Sequence, residues 1–248
     1  MLEQIMKVED ISAETLGGLN EMAAEGLIAW AIENFGDRAA IGTSFQLTGS
    51  VIVDLAAKRF KSFRVFTIDT LRLHPETYAA INDFETRYGL AIERFQPNHN
   101  KLEKMVSRFG EYLFFMDKAK QEYCCDIRKV EPNERALDTL DVWITGLRKD
   151  QSEGRGTVPR AEVIEQKGRK ILKLAPLADW TAEEVRRYID EQRLPYNTLF
   201  DKGYDSIGCI ICSTPLIPGD PPRAGRWRWF NALDAEHKKE CGIHVNKS

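Results

Sequence analysis

Short β-branched runs alternate with helical stretches along most of this chain, and that alternation limits its fold more than any other feature. Strand-sized apolar runs lie at Ala39 to Thr43, Arg64 to Asp69, Leu90 to Phe95 and Asp141 to Leu147. Between them, Ser12 to Phe35, Val51 to Phe60, Glu76 to Tyr88, Lys101 to Phe109 and Glu111 to Thr139 carry apolar residues at helical spacing. Gly36 is placed to cap the first of these helices, and Pro75 can occupy the first position of another. Strand, loop and helix repeated in this way predict an α/β chain with a mainly parallel sheet. Ligands of such sheets bind at the carboxyl ends of the strands. The loops Ser44–Ser50, Asp69–His74 and Gly146–Ser152 all fall at those ends and are expected to meet in one cleft.

After the fourth strand, Ala161 to Leu174 reads as a hairpin turning at Lys167-Gly168, and Thr181-Ala182-Glu183-Glu184 as a capping box opening a helix to Arg193. Beyond Pro195 the periodicity fades, and Pro215, Pro218, Pro221 and Pro222 predict an irregular tail. The division expected is a main domain over 1–212 and a tail over 213–248. With 43% hydrophobic and 29% charged residues, the 248-residue chain is not globally disordered. No apolar run approaches the roughly eighteen residues of a membrane helix. Met1 to Asp10 lacks the basic-then-apolar pattern of a secretory signal, so a cytoplasmic enzyme is expected. A formal charge of −3 excludes a generally basic, nucleic-acid-coating protein.

The five cysteines are an odd number and unevenly placed: Cys124-Cys125, Cys209-x-x-Cys212 and, near the C-terminus, Cys241. In a chain without an export signal this points to metal or redox chemistry rather than to stapling. Zinc normally takes two Cys-x2–4-Cys knuckles. Adjacent side chains on a helix diverge by roughly 100°, which fits one compact tetrahedron poorly but lets two sulfurs reach different irons of a larger cluster. Two buried structural cysteines beside a chance Cys-x-x-Cys remain an alternative, as does zinc.

Cys241 stands among Lys238, Lys239 and His244, whose positive charge would raise its thiolate fraction; a lone cysteine there is also compatible with an inert surface thiol. The Ser44–Ser50 loop enters a helix and suits an anion, but lacks the glycines and lysine of a Walker loop. Basic residues cluster at Arg148, Lys149, Arg155 and Arg160, and again at Arg223, Arg226 and Arg228, which suggests a small polyanionic substrate rather than a solvated surface.

Taken together, Cys124-Cys125-Asp126-Ile127-Arg128-Lys129, Ile144 to Ser152, Gly208-Cys209-Ile210-Ile211-Cys212, Gly225-Arg226-Trp227 and Glu240-Cys241-Gly242-Ile243-His244 resemble the thioredoxin-dependent adenylyl-sulfate reductases, within the wider phosphoadenylyl-sulfate reductase family. Asp69 to Thr77 and Pro195-Tyr196-Asn197 also match, so the likeness runs from about Thr43 to His244. The resemblance implies an adenine nucleotide α-hydrolase-like (PP-loop) three-layer fold. It further implies a [4Fe-4S] cluster on Cys124, Cys125, Cys209 and Cys212, and Cys241 as the nucleophile that becomes an S-sulfonate. Ser44 and Ser50 would belong to the sulfate-holding loop, and Lys129, Arg148, Arg160, Arg223, Arg226 and His244 would contact substrate. Partners implied are adenosine 5′-phosphosulfate and thioredoxin; a homo-oligomer is left open. Two departures stand out: Ile210-Ile211 where Glu-Pro is common, and Phe45 to Thr48 in place of a Ser-Gly-Ala-Glu-like stretch. The competing readings are reduction of 3′-phosphoadenylyl sulfate or of both nucleotides, a PP-loop Fe–S tRNA thiolase, and a non-catalytic zinc module.

Overall fold

The computed structural model of the chain describes residues 6–231 and residue 243. Ala13–Glu21 (α1) and Ala24–Phe35 (α2) precede strand Ala39–Gly42 (β1). Helix Leu47–Ala57 (α3), strand Arg64–Ile68 (β2), helix Pro75–Tyr88 (α4) and strand Glu93–Phe95 (β3) follow. Next come His99–Phe109 (α5), Lys118–Cys125 (α6), Glu131–Leu137 (α7) and strand Val142–Thr145 (β4). The hairpin Ala161–Gln166 (β5) and Arg169–Leu174 (β6) leads to Ala182–Gln192 (α8), and Arg228–Asn231 forms the short α9.

The strands form one sheet in the order β3-β2-β1-β4-β6-β5. The pairs β1–β2, β1–β4 and β4–β6 are parallel, and only the β5–β6 hairpin is antiparallel among the registered pairs. Ile41 sits opposite both Val65 and Ile144, and all three are buried. Central strands read as unbroken apolar runs because both faces are covered, as parallel sheets require. The turn at Lys167 (φ 51°) and Gly168 (φ 75°) has both central residues left-handed, the two-residue geometry whose twist matches the strands it joins. Thr181 and Glu184 exchange the reciprocal bonds of the expected capping box.

Three details depart from the sequence expectation. The first helical stretch breaks at Met22 and Ala23, whose backbones are extended. The Asn20 side chain pairs with both backbone groups of Ala161, and Arg160 Nη1 donates to the Met22 carbonyl, so tertiary bonds replace the helical ones. Helix α3 begins at Leu47, four residues ahead of the expected Val51, which puts Ser50 in its first turn rather than in a loop. The stretch expected to be helical from Glu111 to Thr139 is a short 3₁₀ turn, α6, a π-helical segment at Asp126–Val130, and α7.

The chain forms two compact units. Of the described residues, one unit comprises 6–67, 80–93 and 137–197, and the other 68–79, 94–136 and 198–231. Among the described residues no helix is long and apolar enough to cross a membrane. In the first unit, Asp54 on α3 is 3% exposed and accepts hydrogen bonds from Tyr88 Oη (2.6 Å) at the end of α4 and Tyr188 Oη (2.7 Å) on α8. Lys58 Nζ lies 3.1 Å from the same carboxylate. This network ties the helix that leaves β1 to two others.

Removing the carboxylate strands two part-buried phenols, so Asp54→Ala is expected to cost about 2–4 kcal/mol in urea unfolding, and Tyr188→Phe about 1 kcal/mol. Burial, then the bond to Asp54, raises both phenol pKa values above the ordinary 10.0. The stability they contribute is complete below pH 10 and is lost as pH rises through the raised values. The stability gap between wild type and Tyr188→Phe should therefore shrink above about pH 10; a gap constant to higher pH would contradict the network.

Candidate active site

Four cysteines converge in the second unit. Asp117 caps α6 by accepting the Lys120 N–H at 2.7 Å, and the helix ends on Cys124 and Cys125. The backbone then widens into the π-helical Asp126–Val130, with Glu131 N–H bonding to Asp126 O. Pro132 explains the widening: it has no N–H for the Arg128 carbonyl, and its ring would collide with that carbonyl in a regular α-helix. The π-helical segment contains Arg128 and Lys129, both buried.

The second cysteine pair lies on the 3₁₀ turn Ile210–Cys212. It is clasped by the loop Asp69–His74, through an antiparallel bridge of Leu73 with Cys209 and a bond from Ile210 N–H to Arg72 O at 2.8 Å. That loop is itself pinned by Asp69, which accepts from Leu71 N–H (2.9 Å), Tyr78 Oη (2.7 Å) and Gln96 Nε2 (3.0 Å). Leu71 holds a left-handed φ of 58°, strained for a non-glycine residue.

All four cysteines line one pocket, with Arg72, Arg128, Lys129 and Gln121 as polar walls and Phe114 and Ile211 as apolar ones. Cys124, Cys209 and Cys212 are buried and Cys125 is half-buried; all four are free thiols. Gln121 Nε2 donates to Cys125 Sγ at 3.1 Å, and the Cys209 thiol bonds to Thr70 Oγ1 at 3.3 Å. Burial pushes the Cys212 thiol up to about 12, with Cys209 and Cys125 adding to the effect and Lys129 and Arg226 opposing it. Burial likewise raises Cys124, against the pull of Arg128. Arg128 is lowered by its own burial and by Arg72. Four thiols around one pocket could ligate a metal as thiolates, and the three cations beside them would offset the negative charge of those thiolates. Among the described residues, no group of three or more His, Cys, Asp or Glu side chains is placed to hold a metal ion.

A second group of site residues lies in the first unit. Between β1 and α3, Phe45 takes a left-handed φ of 53° and packs, fully buried, on Phe84 with ring centroids 5.3 Å apart. Thr43 Oγ1 accepts the Phe45 N–H at 2.9 Å. A Cβ on Gly49 would stand 2.0 Å from that same oxygen, so only glycine fits there. Gly146, just past β4, approaches so closely that its Cβ would lie 3.2 Å from Gly49 N. The loops Ser44–Ser50 and Gly146–Ser152 are thus brought together, and Arg148 Nη1 donates to Thr48 Oγ1 while its Nε donates to Asp150 Oδ1 at 2.9 Å. Gln46 makes no side-chain cap, which leaves first-turn N–H groups of α3 for an anion. Ser44 is exposed and accepts from Gln46 Nε2 (2.9 Å). Ser50 and Thr145 are buried, with hydroxyls that have no partner among the described residues. Arg160 donates through Nε to Asp179 (2.7 Å), a carboxylate that also takes Lys149 Nζ and is held below the usual range by these two cations.

In the second unit, Arg223 and Arg226 are brought together on Ser206. Cys241 and His244 lie outside the described residues. The sequence reading did not single out Arg72, Gln121 or Ser206. Pro132 inside a helical stretch signals that the backbone after the cysteine pair is irregular; Arg72 lies in the strand-end loop Asp69–His74 expected at the cleft, whereas nothing local marks Ser206, whose contacts come from long-range pairing.

Residues 38–215 match the phosphoadenosine phosphosulfate reductase domain family. The adenosine 5′-phosphosulfate reductase of Pseudomonas aeruginosa (strain LESB58) is 40% identical over 92% of this chain and 84% of its own length. That of Agrobacterium fabrum (strain C58 / ATCC 33970) is 36% identical over 93% of this chain and 85% of its own. Among solved structures, the phosphoadenylyl-sulfate reductase of Candida auris, in a phosphate complex, is similar with a TM-score of 0.70 and 30% identity, covering 83% of this chain and 98% of that one. The FMN adenylyltransferase of Candida glabrata, at 13% identity and a TM-score of 0.54, covers 99% of this chain and 81% of its own, and shares the fold alone. The fold is therefore the PP-loop α/β fold expected from the sequence, and the chain belongs to the phosphoadenosine phosphosulfate reductase family of enzymes.

Proposed function

We propose that this enzyme reduces adenosine 5′-phosphosulfate to sulfite and AMP with reduced thioredoxin, in sulfate assimilation, through an S-sulfonate on Cys241. The observation that carries the reading is the convergence of Cys124, Cys125, Cys209 and Cys212 on one pocket, in a chain 36–40% identical to proteins named adenosine 5′-phosphosulfate reductases. These four residues would hold a [4Fe-4S] cluster, which supplies positive charge to the thiolates and a fixed field beside Lys129.

The chain's own residues account for the rest. The first-turn N–H groups of α3, with Ser50, would receive the sulfate end, and Arg148 keeps that loop in shape through Thr48. Lys129, Arg160, Arg223, Arg226 and His244 would hold the phosphosulfate and stabilise AMP as it leaves. The Cys241 thiolate attacks the sulfonate sulfur; the S–O bond to AMP breaks, and its electron pair departs with AMP. One thioredoxin thiolate then attacks Cys241 Sγ, sulfite leaves with the S–S pair, and the second thioredoxin thiol closes the disulfide. Reduction to sulfite takes two electrons, and the dithiol supplies both. Reduction of 3′-phosphoadenylyl sulfate is the second reading, favoured by the likeness to the Candida auris enzyme.

Sulfite release measured on each nucleotide with reduced thioredoxin decides between them: kcat/KM is expected to be higher for adenosine 5′-phosphosulfate, and the reverse order would overturn the choice. Metal analysis of anaerobically purified protein should give about four irons and four sulfides per chain, whereas stoichiometric zinc without iron would remove the cluster. Cys241→Ser should keep the iron and bind nucleotide, yet lose turnover by several orders of magnitude, because a serine hydroxyl is scarcely ionised at neutral pH. Wild type incubated with substrate alone should gain one sulfonate mass on the Cys241 peptide; the mass on any other cysteine would sink the assignment. Cys209→Ser should instead lose iron.

A further inference from the structure

Arg226 is 4% exposed. Nη1 donates to Ser206 Oγ at 3.3 Å, Nε donates to the Cys212 carbonyl at 3.3 Å, and the Trp227 ring lies 4.6 Å from Cζ. A further wall is Gly208, where an added Cβ would stand 2.4 Å from Nη2 and 2.7 Å from Cζ. The guanidinium thus occupies space that a side chain at 208 would need.

Arg223 reaches the same hydroxyl, with Nη1 donating to Ser206 Oγ at 3.2 Å. A serine oxygen has two acceptor lone pairs, so one hydroxyl can take both donors. Ser206 is itself 3% exposed, and the neighbouring Asp205 carboxylate accepts the Arg223 backbone N–H. Two like charges are in this way fixed at a set spacing by a shared neutral oxygen.

The backbone is built to hold this arrangement. Arg223 (φ 62°) and Trp227 (φ 46°) are both left-handed non-glycine residues on either side of Arg226. Arg226 N–H closes a turn on Arg223 O at 3.0 Å, and Thr214 N–H bonds to Gly225 O at 3.0 Å. Gly208 N–H is fixed in turn by Ser213 Oγ at 2.8 Å. Strained conformations persist where surrounding contacts over-determine them, and they concentrate at functional sites.

We infer that Ser206 and Gly208 are positioning residues for substrate binding: the Ser206 hydroxyl sets the spacing of Arg223 and Arg226, and the missing side chain at Gly208 gives Arg226 its place. Both act on the anionic group of the nucleotide only through the two arginines. This rests on the reading that Arg223 and Arg226 hold the phosphosulfate.

The test uses the full-length, iron-loaded protein and reads KM and kcat for adenosine 5′-phosphosulfate, and Kd for AMP. Ser206→Ala should raise KM and the AMP Kd about tenfold, the scale of a lost bond to a charged group, while kcat changes less than threefold. Ser206→Thr, which keeps the hydroxyl, should restore most of the affinity. Gly208→Ala should weaken binding at least as much as Ser206→Ala. In an Arg226→Ala background the addition of Gly208→Ala should change binding less than twofold, and Ser206→Ala should add only the part it exerts through Arg223. Unchanged affinity in Ser206→Ala, or full additivity of Gly208→Ala with Arg226→Ala, overturns the inference while leaving the substrate reading intact. Wild type that neither releases sulfite from this nucleotide nor binds AMP overturns the substrate reading and the inference with it. Should Gly208→Ala lose iron or fail to fold, the Ser206→Ala and Ser206→Thr pair decides alone, because those changes alter no backbone contact of Cys209.

Discussion

Cys124, Cys125, Cys209 and Cys212 meet in one pocket, three of them buried, and burial holds the Cys124 and Cys212 thiols above their ordinary range. Thiolates in such a place need positive charge within reach, and much of the second unit is arranged to supply it. The π-helical segment carries Arg128 and Lys129 to the pocket that the cysteine pair just before it opens onto. The loop that clasps Cys209 brings Arg72, whose guanidinium stacks 5.3 Å from the Phe114 ring centroid. Arg128 is fixed by donating to Thr70 O at 2.8 Å, so the same loop that grips one cysteine pair orients the cation beside the other. Met105, Leu113, Phe114, Ile127 and Trp227 pack with Cys124, Cys209 and Cys212 in one buried cluster.

In the first unit, the N-terminus of α3 has no side-chain cap, and the helix is held by contacts elsewhere along it. Close backbone approach does part of this: a Cβ on Gly49 would collide with Thr43, and one on Gly146 would press on the backbone of Gly49. The Asp54 network does the rest from the far side of α3. Fixing both ends of the helix lets Gln46 remain without a capping bond, a local instability of about 1 kcal/mol that a bound anion would offset.

Much of this was legible in the sequence because it depends on local chemistry. The hairpin at Lys167-Gly168, Pro75 at the start of α4 and the Thr181 capping box each follow from residues within a few positions of one another. The two cysteine pairs stood out through residue type and spacing, whereas Lys129 entered only through the family resemblance. The break at Met22 was not, because it is made by Asn20 and Arg160 bonding across more than a hundred residues of chain. Ser206 was hidden for the same reason: a serine between an aspartate and an isoleucine carries no local mark, and only the return of the chain at Arg223 to Trp227 gives its oxygen two guanidinium groups to accept.

Two ways of holding an arginine coexist in this chain, and they differ in what they leave for a ligand. Arg160 and Lys149 share the Asp179 carboxylate, so their charge is substantially offset where they lie, and they keep orientation at the expense of field. Arg226 and Arg223 bond to the Ser206 hydroxyl, and Arg128 to the Thr70 carbonyl. A dipolar acceptor fixes the direction of a guanidinium without itself cancelling a unit charge. The Ser206 hydroxyl and the Thr70 carbonyl therefore set the direction of the guanidinium groups they accept, whereas Asp179 both orients Arg160 and Lys149 and offsets their charge.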